Sequence, residues 1–400
     1  MKQSIGLAIV VFALGAFAAD NATAQGMSWQ VFAKPDKTLL ACLSSELDKR
    51  QLKALSSGER PKNKKLRRAA GRAYKDCTQN TATDSASNSG GRNHRISFID
   101  AHAHASAKSA SGTLTSMESM GIERTITMPP PVAPGQNIRI SEKDFVRAAQ
   151  KHPDKFVYFG GGASLNKMVH QAAQSGKMPD SLRKKFTETA QDILDDGAKG
   201  FGEITALHLS LRKNHPYMGT PPDDPLFLLL SDIAGKAGVP IDFHMEAVLQ
   251  DMPLPAEIAG RPNPDILSAN IAAFERLMAH NRNTTIIWAH AGWGNTGQRT
   301  VELCRKLLEA HPNLFMSIKI EKKGRPKIRL LDRSGMLVSE WLELFTQFPD
   351  RFILGSDEKY DRDAKRAQKN THGIRRLLDQ LPPDLAQHIA HDNPKRLFGL

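Results

Sequence analysis

Phe98-Ile99-Asp100-Ala101-His102-Ala103-His104 places two imidazoles at the end of a short apolar run, and its position in the chain decides the fold. It opens a series of eight β-rich runs, at 96–100, 124–128, 156–159, 200–204, 239–243, 284–288, 314–318 and 351–354. Helical patterns separate most of them, as at 225–237, 270–281, 300–310 and 340–348. Strands alternating with amphipathic helices predict a parallel α/β architecture. Eight such units over about 300 residues suit a closed (β/α)8 TIM barrel, with its site at the C-terminal strand ends. An open doubly wound sheet has the same strand count and stays as the structural alternative.

Polar residues recur at those strand ends. Side chains two apart in a strand face the same way, so Asp100, His102 and His104 are expected on the inward face. Two neutral imidazoles so placed suit a divalent metal, and Asp100, one step deeper, is expected to orient them. In Gly200-Phe201-Gly202-Glu203-Ile204, Glu203 ends the run. In Pro240-Ile241-Asp242-Phe243-His244-Met245-Glu246, alternation sends Ile241, Phe243 and Met245 outward and His244 inward. Ile286-Ile287-Trp288-Ala289-His290 ends in His290, and Phe352-Ile353-Leu354-Gly355-Ser356-Asp357 ends in Asp357, on the face of Ile353 and Gly355. Singly, each has a plain structural reading: a chance His-x-His, a cap carboxylate, a core histidine. Together they recur at one point of a repeating unit, where unpaired burial is costly and a shared metal would pair them.

With these motifs in order, the segment from about Ile96 to Leu400 resembles the amidohydrolase superfamily, close to its amidohydrolase-related (amidohydrolase 2) branch. The ending Asp392-Asn393-Pro394-Lys395-Arg396-Leu397-Phe398 resembles that branch's last helix. The resemblance implies His102, His104 and His244 as metal ligands, and Asp357 as ligand and proton shuttle. It implies His290 as a second-metal ligand or the group that polarises the substrate. Glu203 takes a position where some relatives carry a carboxylated lysine and TatD-like nucleases a glutamate; no lysine ends this strand, and whether Glu203 binds or bridges a second metal stays open. One or two divalent ions are implied, zinc by default, with manganese or iron as alternatives. Such an ion acidifies water to near neutrality, and Asp357 would take its proton and later deliver it to the leaving group. The expected substrate is a small carbonyl compound: an amide, lactone or ester. A metal-dependent non-oxidative decarboxylase of an aromatic acid and a TatD-like nuclease are the enzymatic alternatives.

The rest of the 400 residues adds a different character. Met1-Lys2-Gln3, the apolar run from Ile5 to Ala19 and Ala22-Thr23-Ala24 read as a signal peptide over 1–24. The run is short for a membrane span of roughly 20 residues, so a periplasmic or secreted protein is expected. Residues 27–77 read as a basic helical hairpin, 78–94 as a flexible linker and 95–400 as the barrel. A Cys42–Cys77 bridge would staple the hairpin, while Cys304 is expected as a small buried residue in a helix. The net charge of +13 bears on partners, not fold. The helix at 62–75 is a candidate contact for an anionic envelope surface, with a solvated face as the plainer reading and nucleic acid not expected. A non-catalytic envelope-binding protein is therefore the non-enzyme alternative. No Gly-x-Ser-x-Gly elbow points to a serine nucleophile. Gly292-Trp293-Gly294-Asn295-Thr296-Gly297 follows the sixth strand, so it reads as a turn rather than a dinucleotide site. Gly160-Gly161-Gly162 likewise reads as a turn. Lys319, Lys322, Lys323, Arg325 and Lys327 are expected in a loop over the site, poised for an acidic substrate.

Overall fold

The computed structural model describes residues 96–136, 141–213, 215–321, 325–359 and 369–400, with scattered positions between 40 and 73. The leader at 1–24, Cys42, Cys77, the linker at 78–94, Lys322 and Lys323 lie outside the described residues. The chain divides into two compact units, Met1–His94 and Arg95–Leu400.

In the first unit, Lys49–Leu55 is helical because Asp48 caps it. The Asp48 carboxylate accepts from the backbone of Arg50 and Gln51, and the Gln51 side-chain oxygen accepts in return from the Asp48 amide. Leu43, Leu47, Leu55, Ala70 and Ala73 bury together.

The second unit is the barrel. Its strands are β1 (Phe98–Ala103), β2 (Ile122–Thr127), β3 (Phe156–Tyr158, resumed at Gly160–Gly161), β4 (Phe201–His208), β5 (Ile241–Met245), β6 (Ile286–Ala291), β7 (Leu314–Ile318) and β8 (Phe352–Leu354). All neighbours around the ring pair in parallel. Closure happens within β3. Phe156–Tyr158 pairs with β2, and two residues on, Gly160 and Gly161 pair with Phe201 and Gly202 of β4. The glycine run expected as a turn is thus partly strand, and Gly161 tolerates its φ of +104 because it has no Cβ. Helices cross between strands, with two, Leu165–Ser175 and Asp180–Asp195, linking β3 to β4. Pro225–Ala237 is typical: Asp224 accepts from the Leu226 amide, Pro225 sits in the first turn, and Gly238 ends the helix at φ +67.

Alternation sorts the apolar residues into two layers. Phe98, Phe243, Trp288, Met316 and Phe352 belong to the outer cluster shared with the helices. Ile99, Ala101, Ile126, Val157, Phe159, Ile287, Phe315 and Ile353 fill the barrel, so its interior is packed, as in other closed eight-stranded barrels. Phe398 joins this inner cluster, while Asn393 donates to the carbonyls of Pro349 and Phe352 at the start of β8. Cys304 is fully buried in helix Val301–Ala310. Among the described residues no helix is long and apolar enough to cross a membrane.

Candidate metal centre

Three strands carry one residue more than their neighbour just where a ligand-type side chain stands. Between Asp100↔Thr125 and Ala103↔Thr127, β1 advances three residues against two. The same count separates Phe201↔Ile241 from Ile204↔Phe243 on β4, and Trp288↔Met316 from Ala291↔Ile318 on β6. Each extra residue is a bulge that resets the alternation. It turns His102, Glu203 and His290 into the barrel mouth.

The bulge corrects the expected face of Asp100. Asp100 pairs with Leu354, an outer-layer residue, and its carboxylate accepts from the amide (2.8 Å) and hydroxyl (2.6 Å) of Ser356. It fastens β1 to β8, and its Oδ1 also accepts from the His102 amide at 3.4 Å. Glu203 also departs from expectation, standing third in an eight-residue strand rather than at its end. His290 (φ +71) and Asp357 (φ +53) occupy the left-handed region, which costs a non-glycine residue on the order of 1–3 kcal/mol and is typical of functional sites.

The six residues singled out by the motifs meet. Glu203 is their centre: Oε1 lies 2.6 Å from His244 Nδ1 and 3.4 Å from His290 Nε2, and Oε2 lies 3.5 Å from His104 Nε2 and 3.7 Å from His102 Nε2. Asp357 Oδ1 lies 3.1 Å from His104 Nε2 and 3.9 Å from His102 Nε2. Three triads have ligand atoms within 4.8 Å of one another: His102, His290 and Asp357; His102, His104 and Glu203; Glu203, His244 and His290.

The far nitrogens of two imidazoles are already committed. His102 Nδ1 bonds Asp242 Oδ2 at 3.0 Å, and His104 Nδ1 donates to the Met128 carbonyl at 2.9 Å. This directs each Nε2 at the cluster, and His102 Nε2 is buried there with no hydrogen-bond partner. Asp242 is the residue that motif reading passed over, although it stands two before His244 and shares its inward face. Asp242→Ala is expected to weaken metal affinity about 10- to 100-fold, as loss of an orienting partner does. Competition with a chromogenic chelator measures this, and unchanged affinity would leave Asp242 a packing role alone.

Electrostatics favour anionic carboxylates here. Burial alone would raise the Glu203 carboxyl, but the charge of His244, then the contacts with the His102, His244 and His290 imidazoles, hold it well below the usual range. Burial likewise opposes the Asp357 charge; Lys319, then the His104 hydrogen bond, outweigh it and hold that carboxyl well below its usual range. Burial is the largest effect on His290 and lowers it well below the ordinary imidazole value. Lys319 is not in an overlying loop. It directly follows β7, its amide donating to Ala291, and its Nζ lies 2.5 Å from Asp357 Oδ2. Burial lowers Lys319, but Asp357 more than compensates and keeps it charged.

The cluster opens into a cavity of about 380 Å³ whose lining includes His104, Glu203, His244, Trp293, Lys319 and Asp357. Loops after β5, β6 and β7 are tied together around it. The turn at Gly292–Gly297 presents the Asn295 amide to the Glu246 carboxylate at 2.9 Å, so its donors serve a carboxylate of the chain itself. Arg325, expected to await substrate, is engaged by both oxygens of Glu257 (2.7 and 2.8 Å) and by the Asn295 carbonyl.

Residues 99–400 match a family model described as amidohydrolase. Among solved structures, a protein from Acinetobacter baumannii provisionally designated a 2-pyrone-4,6-dicarboxylic acid hydrolase is 10% identical. The match covers 76% of this chain and 100% of that one, at a TM-score of 0.45. A protein from Pseudomonas putida with the same provisional designation is 13% identical over 76% of this chain and 98% of that one, at 0.47. An organophosphate hydrolase engineered from a weak promiscuous lactonase is 15% identical over 76% and 96%, at 0.44. No curated protein matches the chain.

Proposed function

The chain belongs to the amidohydrolase family, and from that premise we propose that it hydrolyses a small amide, lactone or ester with a divalent cation, zinc by preference, held by His102, His104, Glu203, His244, His290 and Asp357. The observation that carries this reading is the buried His102 Nε2, which lacks a hydrogen-bond partner and faces carboxylates while Asp242 fixes its other nitrogen. Imidazole nitrogens and carboxylate oxygens are the donor set that such an ion prefers.

Bound there, the cation supplies positive charge that acidifies water and polarises a carbonyl oxygen. The protein's own residues do the rest. Asp357, an anion at neutral pH, lies at the cavity wall where its carboxylate takes a proton from the attacking water and returns it to the leaving atom. Lys319 holds Oδ2 of that carboxylate, so it is aimed before substrate arrives. Glu203, His290 and Lys319 are buried, which strengthens the interactions among these charges.

Metal analysis by mass spectrometry of the purified protein, beside a variant with His102→Ala and His104→Ala, tests the reading. The wild type is expected to carry near-stoichiometric metal and the double variant to lose it. A wild type that takes up no divalent ion after reconstitution, or that releases carbon dioxide from aromatic acids without hydrolysing any ester or lactone, would overturn it.

A further inference from the structure

Lys319 brings a buried cation to the same cavity, and the hydrolytic reading leaves it only the holding of Asp357. Its side chain is 7% exposed. The ammonium lies 2.5 Å from Asp357 Oδ2 and 3.9 Å from the centroid of the Trp293 ring. Three N–H donors radiate from such a group. One goes to Asp357 and the ring face takes up part of the charge. Among the described residues no other hydrogen-bond acceptor stands against Nζ, although it lines the cavity.

The two oxygens of Asp357 divide the site. Oδ1 faces the imidazoles of His104 and His102, and Oδ2 faces Lys319. A proton taken up by this carboxylate and handed on toward the cavity is therefore delivered beside Nζ. Resting on the hydrolytic reading, we propose that Lys319 is a catalytic residue whose ammonium stands against the departing oxygen or nitrogen of the substrate and stabilises the negative charge that develops there.

The sequence of events balances without any further reactant. The oxygen of water bonds to the carbonyl carbon while Asp357 accepts one of its protons. The bond from that carbon to the leaving oxygen or nitrogen then breaks, and its electron pair stays with the leaving atom beside Nζ. Asp357 returns the proton to that atom, which leaves as an alcohol or amine, and the acyl group leaves as a carboxylic acid. Lys319 keeps its three protons throughout. A fixed, buried cation acts on developing charge without reorganising. An ammonium serving only as a brace acts wholly through Asp357, so in an Asp357→Asn background its removal would change nothing further. One facing the leaving atom still matters there, and most where that atom bears charge poorly.

A series of esters of one acid, from alkyl to nitrophenyl leaving groups, separates these roles. Wild type, Lys319→Met and Lys319→Arg would be compared for kcat, KM, metal content and thermal unfolding. Lys319→Met is expected to keep its metal and its fold and to lose about 10²-fold in kcat on alkyl esters, with a much smaller loss on nitrophenyl esters. Lys319→Arg is expected to recover part of the alkyl-ester rate. Should the Met variant lose its folded baseline, Lys319→Gln supplies the same comparison. A loss that is equal along the series, no loss at all, or a loss on alkyl esters that vanishes when Lys319→Met is made in an Asp357→Asn background overturns the assignment of Lys319 while hydrolysis itself stands. If the wild type hydrolyses only amides, a series of anilides of graded basicity makes the same comparison. Failure on esters, lactones and amides alike would instead strike the hydrolytic reading, and the role of Lys319 would fall with it.

Discussion

Asp357→Asn is expected to lower kcat/KM by about 10²- to 10⁴-fold, the range for a positioned proton-transfer group, while leaving most of the metal in place. Asn keeps the shape of Asp and can still accept from Lys319, so the strand end at φ +53 keeps its main tie. What disappears is the basic oxygen between His104 and the cavity. Lys319 and His104 hold the Asp357 carboxyl well below its usual range, so in the wild type this oxygen is ready to accept a proton throughout the neutral region. An amide has no such capacity. The effect belongs in kcat more than KM, because the proton moves only as the substrate reacts. Steady-state kinetics on any ester that the wild type hydrolyses, with metal content determined on the same preparations, make the check. A variant with undiminished kcat would move the proton-transfer role to another group.

Much of this arrangement is legible before folding. Eight β-rich runs separated by helical ones mark the barrel, and they fall within a few residues of the observed strands. The inward positions of His244 and Asp357 follow from simple alternation, because β5 is regular up to His244 and Gly355 is small enough to approach His102 Cβ. Alternation fails at Asp100 for a definite reason. A period of two assumes an unbroken strand, and the bulge between Asp100 and Ala103 depends on pairing with β2, which no local pattern in β1 announces. The same holds for Glu203, where the strand continues to His208 although glycine-rich sequence reads as its end. Asp242 was within reach of the argument that found His244; its partner, His102, lies 140 residues away. Lys319 is the opposite case. Its basic neighbours make it look like part of a solvated loop, and only its bond to Ala291, its ion pair with Asp357 and the Trp293 ring remove it from solvent.

Glu203→Ala is expected to empty the centre of most of its metal and to lower kcat/KM by about 10³-fold or more, since an ion's charge stabilisation is worth several kcal/mol. The reasoning rests on position. One carboxylate oxygen serves His244 and His290, and the other faces His102 and His104. Removing it deprives both imidazole pairs of their shared anion at once and leaves the buried His244 Nδ1 without its 2.6 Å partner. Glu203→Gln retains the volume and one accepting oxygen but not the charge, so the two variants together separate shape from charge. Metal content is the decisive measurement, and it sets Glu203 apart from Asp357. If Asp357→Asn retains metal and Glu203→Ala does not, the first carboxylate moves protons and the second holds the ion. If both retain metal and lose only rate, Glu203 faces substrate instead, and the four imidazoles suffice to bind the ion. If the wild type holds about two ions per chain and Glu203→Ala holds one, its two oxygens serve separate ions, as the division of imidazoles between them suggests.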